Sequence, residues 1–214
     1  MPSNARHNPP NDELDQLLKL GKLLDYRTEA TTAGIILAEA LLRIRDRSGR
    51  DVPLLPNRVQ REYEQRRGTR NIVLKARQMG ISTWVTGRMF LKTITQPGTL
   101  TVQVAHTQEA AESIFRIVHR FVEHLPNRKW GAALRTARSN VRQITFPALD
   151  SEYRVESAAD SNAGRGLTIT NLHCSEVARW KGDATETLQG LRAAMPPTGD
   201  AAGPCLLRSR ESRG

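Results

Sequence analysis

Lys75-Ala76-Arg77-Gln78-Met79-Gly80-Ile81-Ser82-Thr83 puts a lysine, an arginine, a glycine and a pair of hydroxyls within nine consecutive positions. The apolar Ile72-Val73-Leu74 precedes the run, and a helix-like apolar stretch from Trp84 towards Ile94 follows it. Strand, tight arch and helix start is the order of a phosphate-binding loop. There, backbone N–H groups and the positive helix end cradle a triphosphate, and the hydroxyl that follows ligates Mg²⁺. The usual pattern G-x-x-x-x-G-K-[ST] is half met. Gly80 and Ser82 fit, but Ile81 stands where the lysine belongs and Lys75 where the first glycine belongs. A lysine at the front of the loop can arch over the same phosphates. The plain alternative is a strand–turn–helix with incidental basic residues.

A second chemical segment lies about ninety residues further on. Leu167-Thr168-Ile169-Thr170-Asn171-Leu172-His173-Cys174-Ser175-Glu176 reads as a strand of β-branched and apolar residues ending in a carboxylate. Phosphate-loop ATPases end such a strand in an acidic pair: one acid orients Mg²⁺ through water, the other polarises the attacking water. Here the pair is Ser175-Glu176, so the base is present and the metal-orienting group is reduced to a hydroxyl. A core strand with an exposed terminal glutamate would look the same. The two segments together are much harder to obtain by chance than either alone.

The elements that must hold these residues alternate between strand and helix. Asn11 can cap a first helix with an apolar stripe at Leu14, Leu17, Leu18, Gly21 and Leu24, and a second helix is expected over about 29–47, ending near Gly49. The two prolines of Asp51 to Pro56 mark a boundary. Beyond it come a helix over 58–67, a strand over 71–76, the helix after the loop, and a strand over 99–105. A helix over 107–124 follows, with Thr107 as cap and Ala111, Ile114, Val118, Phe121 and Leu125 facing inward. Short strands at 143–146 and 153–157 suit a hairpin or paired edge, and a strand at 168–174 precedes a helix at 183–195 that Pro196-Pro197 stops. This alternation predicts an α/β fold with a parallel sheet.

These segments, in this order, resemble the large subunit of tailed-phage terminases, the motors that package DNA into procapsids. KARQMGIST looks like that family's variant phosphate loop, with the lysine in front and Arg-Gln before the glycine. GRGLTITNLHCSEVARW (Gly164 to Trp180) looks like its acidic strand, where Ser-Glu replaces Asp-Glu. PNRVQREYE (Pro56 to Glu64) resembles its adenine-recognition segment, and TLTVQVAHTQEAAESIF (Thr99 to Phe115) its next strand and helix. The match runs from about Leu54 to Met195. It implies a P-loop NTPase core of RecA/ASCE-like type, with ATP and Mg²⁺ as cofactors. By the same resemblance Gln60 reads adenine and Lys75 neutralises β/γ-phosphate charge. The run Lys75, Ala76, Arg77, Gln78, Met79, Gly80, Ile81, Ser82, Thr83 wraps the nucleotide. Ser82 ligates Mg²⁺, with Ser175 acting on the metal through water. Glu176 activates the attacking water, and Arg77 is a γ-phosphate sensor or an arginine finger in cis. Double-stranded DNA, a small subunit, a portal protein and a homo-oligomeric ring on that portal are the implied partners.

Departures bound the expectation. The family follows its acidic strand with a strand ending in a small-residue coupling motif. Here the apolar onset Cys205-Leu206-Leu207 gives way to arginine and serine, as a frameshift or premature stop would leave, and no nuclease domain follows. The expected division is therefore a helical appendage over 1–52, an ATPase core over 53–203 and an aberrant tail over 204–214. Two readings compete with an active packaging motor: an inactive prophage remnant that keeps nucleotide or DNA binding, and another RecA-like ATPase of helicase type.

Composition is compatible with all three. With 38% hydrophobic and 5% aromatic residues and a mean hydropathy of −0.50, the chain is lean but long enough for one sizeable core. A net charge of +10 favours a polyanionic partner. Most of the surplus lies in residues 71–150, with 11 Lys/Arg against 4 Asp/Glu. From Asn127 to Arg142 the residues Arg128, Lys129, Arg135, Arg138 and Arg142 stand without any acid, which suits a sequence-independent phosphate-backbone surface or a solvated basic loop. Cys174 and Cys205 lack metal-ligand spacing and point to a reducing compartment, with Cys174 a buried thiol. His173, alternating along its strand, suits a satisfied core residue or a support for the site rather than a catalyst. The sequence offers neither a membrane span nor a signal peptide, so the expected location is the cytoplasm of a bacterial host.

Overall fold

The computed structural model of the chain describes residues 9–76, 78–160, 163–164, 166–196 and 200–203. In chain order the elements are α1 (Pro9–Leu23), α2 (Ala33–Leu41), the strands β1 (Arg43–Arg45) and β2 (Asp51–Pro53), then α3 (Arg58–Arg66), β3 (Arg70–Ile72) and α4 (Ile81–Thr95). There follow β4 (Leu100–Ala105), α5 (Gln108–Glu123), the short α6 (Asn127–Trp130), β5 (Arg138–Ser139), β6 (Gln143–Phe146), β7 (Ser151–Ser157), β8 (Asn171–Cys174), α7 (Ala184–Ala193) and β9 (Asp200–Gly203). Seven strands form one sheet in the order β3-β9-β8-β4-β7-β6-β5. The first five pair in parallel, and β6 and β5 extend the sheet antiparallel. Strands that alternate with helices and are buried on both faces produce this arrangement; β4 is buried at five of its six positions and β8 at all four.

The helix after the loop is the hub. Every residue of α4 from Trp84 to Thr95 is buried, because sheet, α1, α2, α3 and α5 all pack around it. The sheet face beneath α4 is polar as well as apolar, and its polar groups are paired. Thr93 and Thr101 share a hydroxyl hydrogen bond of 2.8 Å, and Asn171 donates to Thr101 at 3.0 Å. Helix α1 approaches so closely that a Cβ on Gly21 would lie 2.3 Å from the Thr95 carbonyl oxygen, which explains a glycine in the middle of its apolar stripe. Leu17, Leu24, Ile35, Leu42 and Leu54 share one apolar cluster with Trp84, Phe90 and Phe121. The N-terminal helices thus pack into the same core as the sheet, and the proline-rich segment at 51–56 runs through it.

An ion cluster reinforces this joint. The fully buried Glu64 carboxylate accepts from Arg88 at 2.8 Å, Arg67 at 3.0 Å and the Trp84 indole at 3.0 Å. Asp25, just past α1, pairs with Arg67 at 2.6 Å and with Arg88. Burial works to raise the Asp25 carboxyl pKa, but the Arg88 charge and the Arg67 hydrogen bond outweigh it and hold it below the ordinary range.

Several expected boundaries move. The second helix ends at Leu41, and the chain turns through Asp46–Gly49 into the β1–β2 hairpin. Asp46 accepts from the Ser48 and Arg50 amides at 2.8 and 2.9 Å, and Gly49 takes φ 80°, so a turn replaces the last helical turns expected there. Strand β3 spans 70–72 rather than 71–76, because its ladder with β9 ends at Ile72↔Gly203. The following strand was expected from Cys205; the described one is β9 at 200–203, inserted between β3 and β8, and residues 204–214 lie outside the described residues. The Thr107 cap, the β6–β7 hairpin and α7 fall where the sequence puts them; on α5 Ala111, Val118 and Phe121 are buried as expected and Ile114 packs half-buried on the core, with Phe115 buried in addition.

Candidate functional site

The loop between β3 and α4 turns on two residues in the left-handed region, Gln78 (φ 60°) and Gly80 (φ 70°). Gly80 is the N-cap of α4, and no side chain caps that helix, whereas Thr32, Asn57, Thr107 and Asp183 cap α2, α3, α5 and α7. The first-turn amides of α4 are thus left to an outside acceptor, at the positive end of a 15-residue helix. Lys75, Ala76 and Gln78 are exposed, Met79, Ser82 and Thr83 half-buried, and Ile81 is buried at 3% exposure. The position that holds lysine in the usual motif therefore carries a core residue here. Arg77 lies outside the described residues.

Helix α3 holds the loop from behind. Asn57 and Gln60 form a capping box, with the Gln60 carbonyl oxygen accepting from the Asn57 amide at 2.8 Å. The Gln60 side-chain N–H donates to the Gly80 carbonyl at 2.8 Å, and the Asn57 side chain donates to Met79 at 3.1 Å. A Cβ on Gly80 would meet the Gln60 amide nitrogen at 2.7 Å, a second reason for glycine beside its positive φ. Gln60 is 5% exposed with both ends of its amide engaged, so it acts here on the loop backbone. Asn57 is a loop contact that the sequence reading missed, although Asn57-x-x-Gln60 carries the capping-box spacing.

Across the cleft, β8 delivers Ser175 and Glu176. Ser175 is buried, with its amide on Val104 at 2.8 Å and its carbonyl accepting the Trp180 indole at 3.0 Å. Glu176 takes φ 50° and ψ 45°, a left-handed conformation costing about 1–3 kcal/mol for a residue with a side chain. That turn swings its carboxylate out of the strand to Arg179 at 2.9 Å, with His106 Nδ1 at 3.5 Å. Neither His106 nor Arg179 was singled out in the sequence; Arg179 reaches Glu176 from three residues on, while His106 meets it only because β4 lies beside β8. Burial pushes the Cys174 thiol up to about 12, so it is inert packing.

Lys75, Ala76, Ser82, His173, Ser175 and Glu176 line one cleft of about 370 Å³, with Arg179 at its rim. Two segments about ninety residues apart in the chain thus meet at the C-terminal ends of β3 and β8, parallel strands of one sheet with β9 between them, where open α/β sheets bind ligands. Among the described residues no cluster of three or more His, Cys, Asp or Glu could hold a metal alone. The basic residues Arg128 and Lys129 sit on α6, which packs against α1, Arg135 and Arg142 lie on exposed loops, and Arg138 begins β5, the strand at the end of the sheet opposite β3. Lys129 lies 4.8 Å over the Trp130 ring. No helix among the described residues is long and apolar enough to cross a membrane.

No family model matches the sequence, and no curated protein matches it. Solved structures do match. A point mutant of the large terminase ATPase domain of Thermus phage P74-26 superposes with a TM-score of 0.56 and 21% identity, over 71% of this chain and 66% of that one. A second structure of that domain gives 0.51 and 21%, over 70% and 64%. The large terminase of bacteriophage HK97 gives 0.63 and 15%, over 86% of this chain and 37% of that one. The chain therefore spans just under two thirds of the Thermus phage domain and little more than a third of the HK97 protein. The likeness establishes the fold: a mixed α/β domain with a parallel sheet and flanking helices, built like phage terminase ATPase domains.

Proposed function

We propose that the chain binds Mg·ATP in this cleft and serves as the nucleotide-driven part of a DNA-packaging motor. The observation that supports it best is the convergence of Lys75, Ser82, Ser175 and Glu176 on one cleft beneath an uncapped helix N-terminus. Lys75 neutralises phosphate charge from the front of the loop, and the α4 amides donate to the phosphate oxygens. The donor set suits Mg²⁺ that arrives with the phosphates, since the cleft has one carboxylate and two hydroxyls rather than a closed cage. When bound, Mg²⁺ would supply neutralisation of the phosphate charge. Ser82 ligates it, Ser175 acts on it through water, and Glu176 accepts a proton from the attacking water. Asn57 and Gln60 hold the loop backbone in its arch, so an adenine contact by Gln60 requires exchanging one of its present partners. Arg77 is proposed as the group that meets the γ-phosphate.

The exposed basic residues Arg128, Lys129, Arg135 and Arg142, with Arg138, are proposed to contact duplex DNA through its phosphates. Portal, small subunit, a ring of copies and a bacterial cytoplasm belong to the same proposal through the terminase likeness. A second reading, nucleotide binding without turnover, is favoured by Ser175 in place of an acid and by the Glu176–Arg179 pair.

Titration with Mg·ATP tests the site. Lys75→Ala should weaken binding at least tenfold, about 1.4 kcal/mol, and equal affinities would remove Lys75 from the phosphates. Glu176→Gln should bind nucleotide as the parent does. Hydrolysis lost in that variant supports the motor reading, and binding with no Glu176-dependent hydrolysis supports the second.

A further inference from the structure

His173 occupies the floor of the cleft, and nothing in the proposal above uses it. It is 4% exposed, yet it lines the same space as Lys75, Ser82 and Glu176. In the parallel β4–β8 ladder it sits directly opposite Gln103, so both side chains rise from one sheet face, the face on which α4 packs. Hydrogen bonds connect the polar atoms around Gln103. The Thr86 hydroxyl has the Ser82 carbonyl at 2.7 Å and the Gln103 carbonyl oxygen at 3.1 Å as acceptors, and it accepts from the Gln103 side-chain N–H at 3.0 Å. The Tyr153 phenol donates to the Gln103 carbonyl oxygen at 2.8 Å, and burial holds that phenol well above its usual pKa. The second Gln103 N–H then donates to His173 Nδ1 at 2.7 Å. Gln103 is the ring's one hydrogen-bond partner among the described residues, so the ring's own proton resides on Nε2.

We propose that His173 is a phosphate-binding residue of the cleft, presenting a neutral Nε2–H to an oxygen of the terminal phosphate while Gln103 locks its tautomer. This rests on the nucleotide reading of the cleft. With Nδ1 accepting from Gln103, the ring donates from Nε2 alone. A charged ring there would be repelled by Lys75. A neutral donor adds a directional contact that a diphosphate, lacking the terminal group, does not make. Because Gln103 bonds Thr86, which donates to the Ser82 carbonyl, the donor is tied to the first turn of the phosphate-facing helix.

The test uses the full chain labelled with ¹⁵N in its histidine rings. Long-range proton–nitrogen spectra at neutral pH should give His173 an unprotonated Nδ1 and a protonated Nε2. Mg·ATPγS should shift the Nε2–H signal, and Mg·ADP should leave it near the free position. In calorimetry His173→Gln, which also assigns the signal, should weaken Mg·ATPγS about tenfold and Mg·ADP less than twofold. A proton on Nδ1, or Mg·ATPγS that binds by calorimetry without moving Nε2–H, overturns the proposal and leaves the nucleotide site standing. Failure of Mg·ATPγS to bind at all removes the site itself, and this role with it. Should the variant not fold, the spectra of the parent chain decide.

Discussion

At the residue scale the cleft is built by side chains whose ordinary behaviour has been bent. Glu176 gives up strand geometry for a left-handed turn, and in exchange its carboxylate leaves the sheet for the cleft. Strain of this kind persists only where neighbours hold it, and here Arg179 and the Val104 and Trp180 contacts of Ser175 do so. His173 gives up its charge, and that has a consequence for stability. Its folded pKa lies near 3 against an ordinary 6.5. Below pH 6.5 the unfolded chain takes up a proton that the folded ring refuses, so stability falls as pH drops through this window. The loss should be on the order of 2 kcal/mol between pH 6.5 and 4.5. In urea melts at those two pH values, His173→Gln should lose less than the parent by that amount. Equal losses would mean that the ring is not buried and neutral.

At the scale of elements, α4 is the piece on which loop, sheet and N-terminal helices all depend. Its first turn faces the cleft, its last turn meets α1, and its sheet-facing side makes the polar contacts at Thr86 and Thr93. A helix buried on every side has little room to move, so the packing of α1 bears on the loop at its other end. Gly21 is where that packing is tightest. Gly21→Val should cost about 1–3 kcal/mol through overpacking, because the Thr95 backbone cannot yield as a flexible side chain would. Urea unfolding measures this directly, and an unchanged midpoint would mean that α1 does not sit this close. The Glu64–Arg88–Arg67–Asp25 cluster ties α3 to the same joint, one helical turn along α3 from Gln60. One short helix thus touches both the loop backbone and the buried ions.

For the whole molecule, the sheet separates the two proposed sites. The cleft lies at the β3–β8 end, while the acid-free basic run from 127 to 142 leads from α6 into β5 and β6 at the opposite edge. A phosphate-contact surface there gives duplex binding that is indifferent to sequence and falls steeply with salt. Reversing the charge of the exposed Arg135 and Arg142 should flatten the plot of log affinity against log salt by about two. Fluorescence anisotropy with a labelled duplex reads that slope. An unaltered slope would move the DNA surface elsewhere.

Much of this was written locally in the chain. A glycine before a hydroxyl pair, an apolar run on either side, Thr107 ahead of α5 and the Asp183 turn ahead of α7 each fix structure through hydrogen bonds within a few residues. The pairing of loop and acidic strand was legible for the same reason, each segment carrying its own signal. What local signals could not decide was who meets whom. The helical periodicity of 29–47 hid the Asp46–Gly49 turn, since an apolar stripe reads alike in a helix and in a hairpin packed on the same core. The place of β9 between β3 and β8, the engagement of Gln60 by the loop, and the link from His173 to Gln103 join residues from 20 to more than 100 positions apart. Such contacts follow from strand order and register, and only the folded sheet sets those.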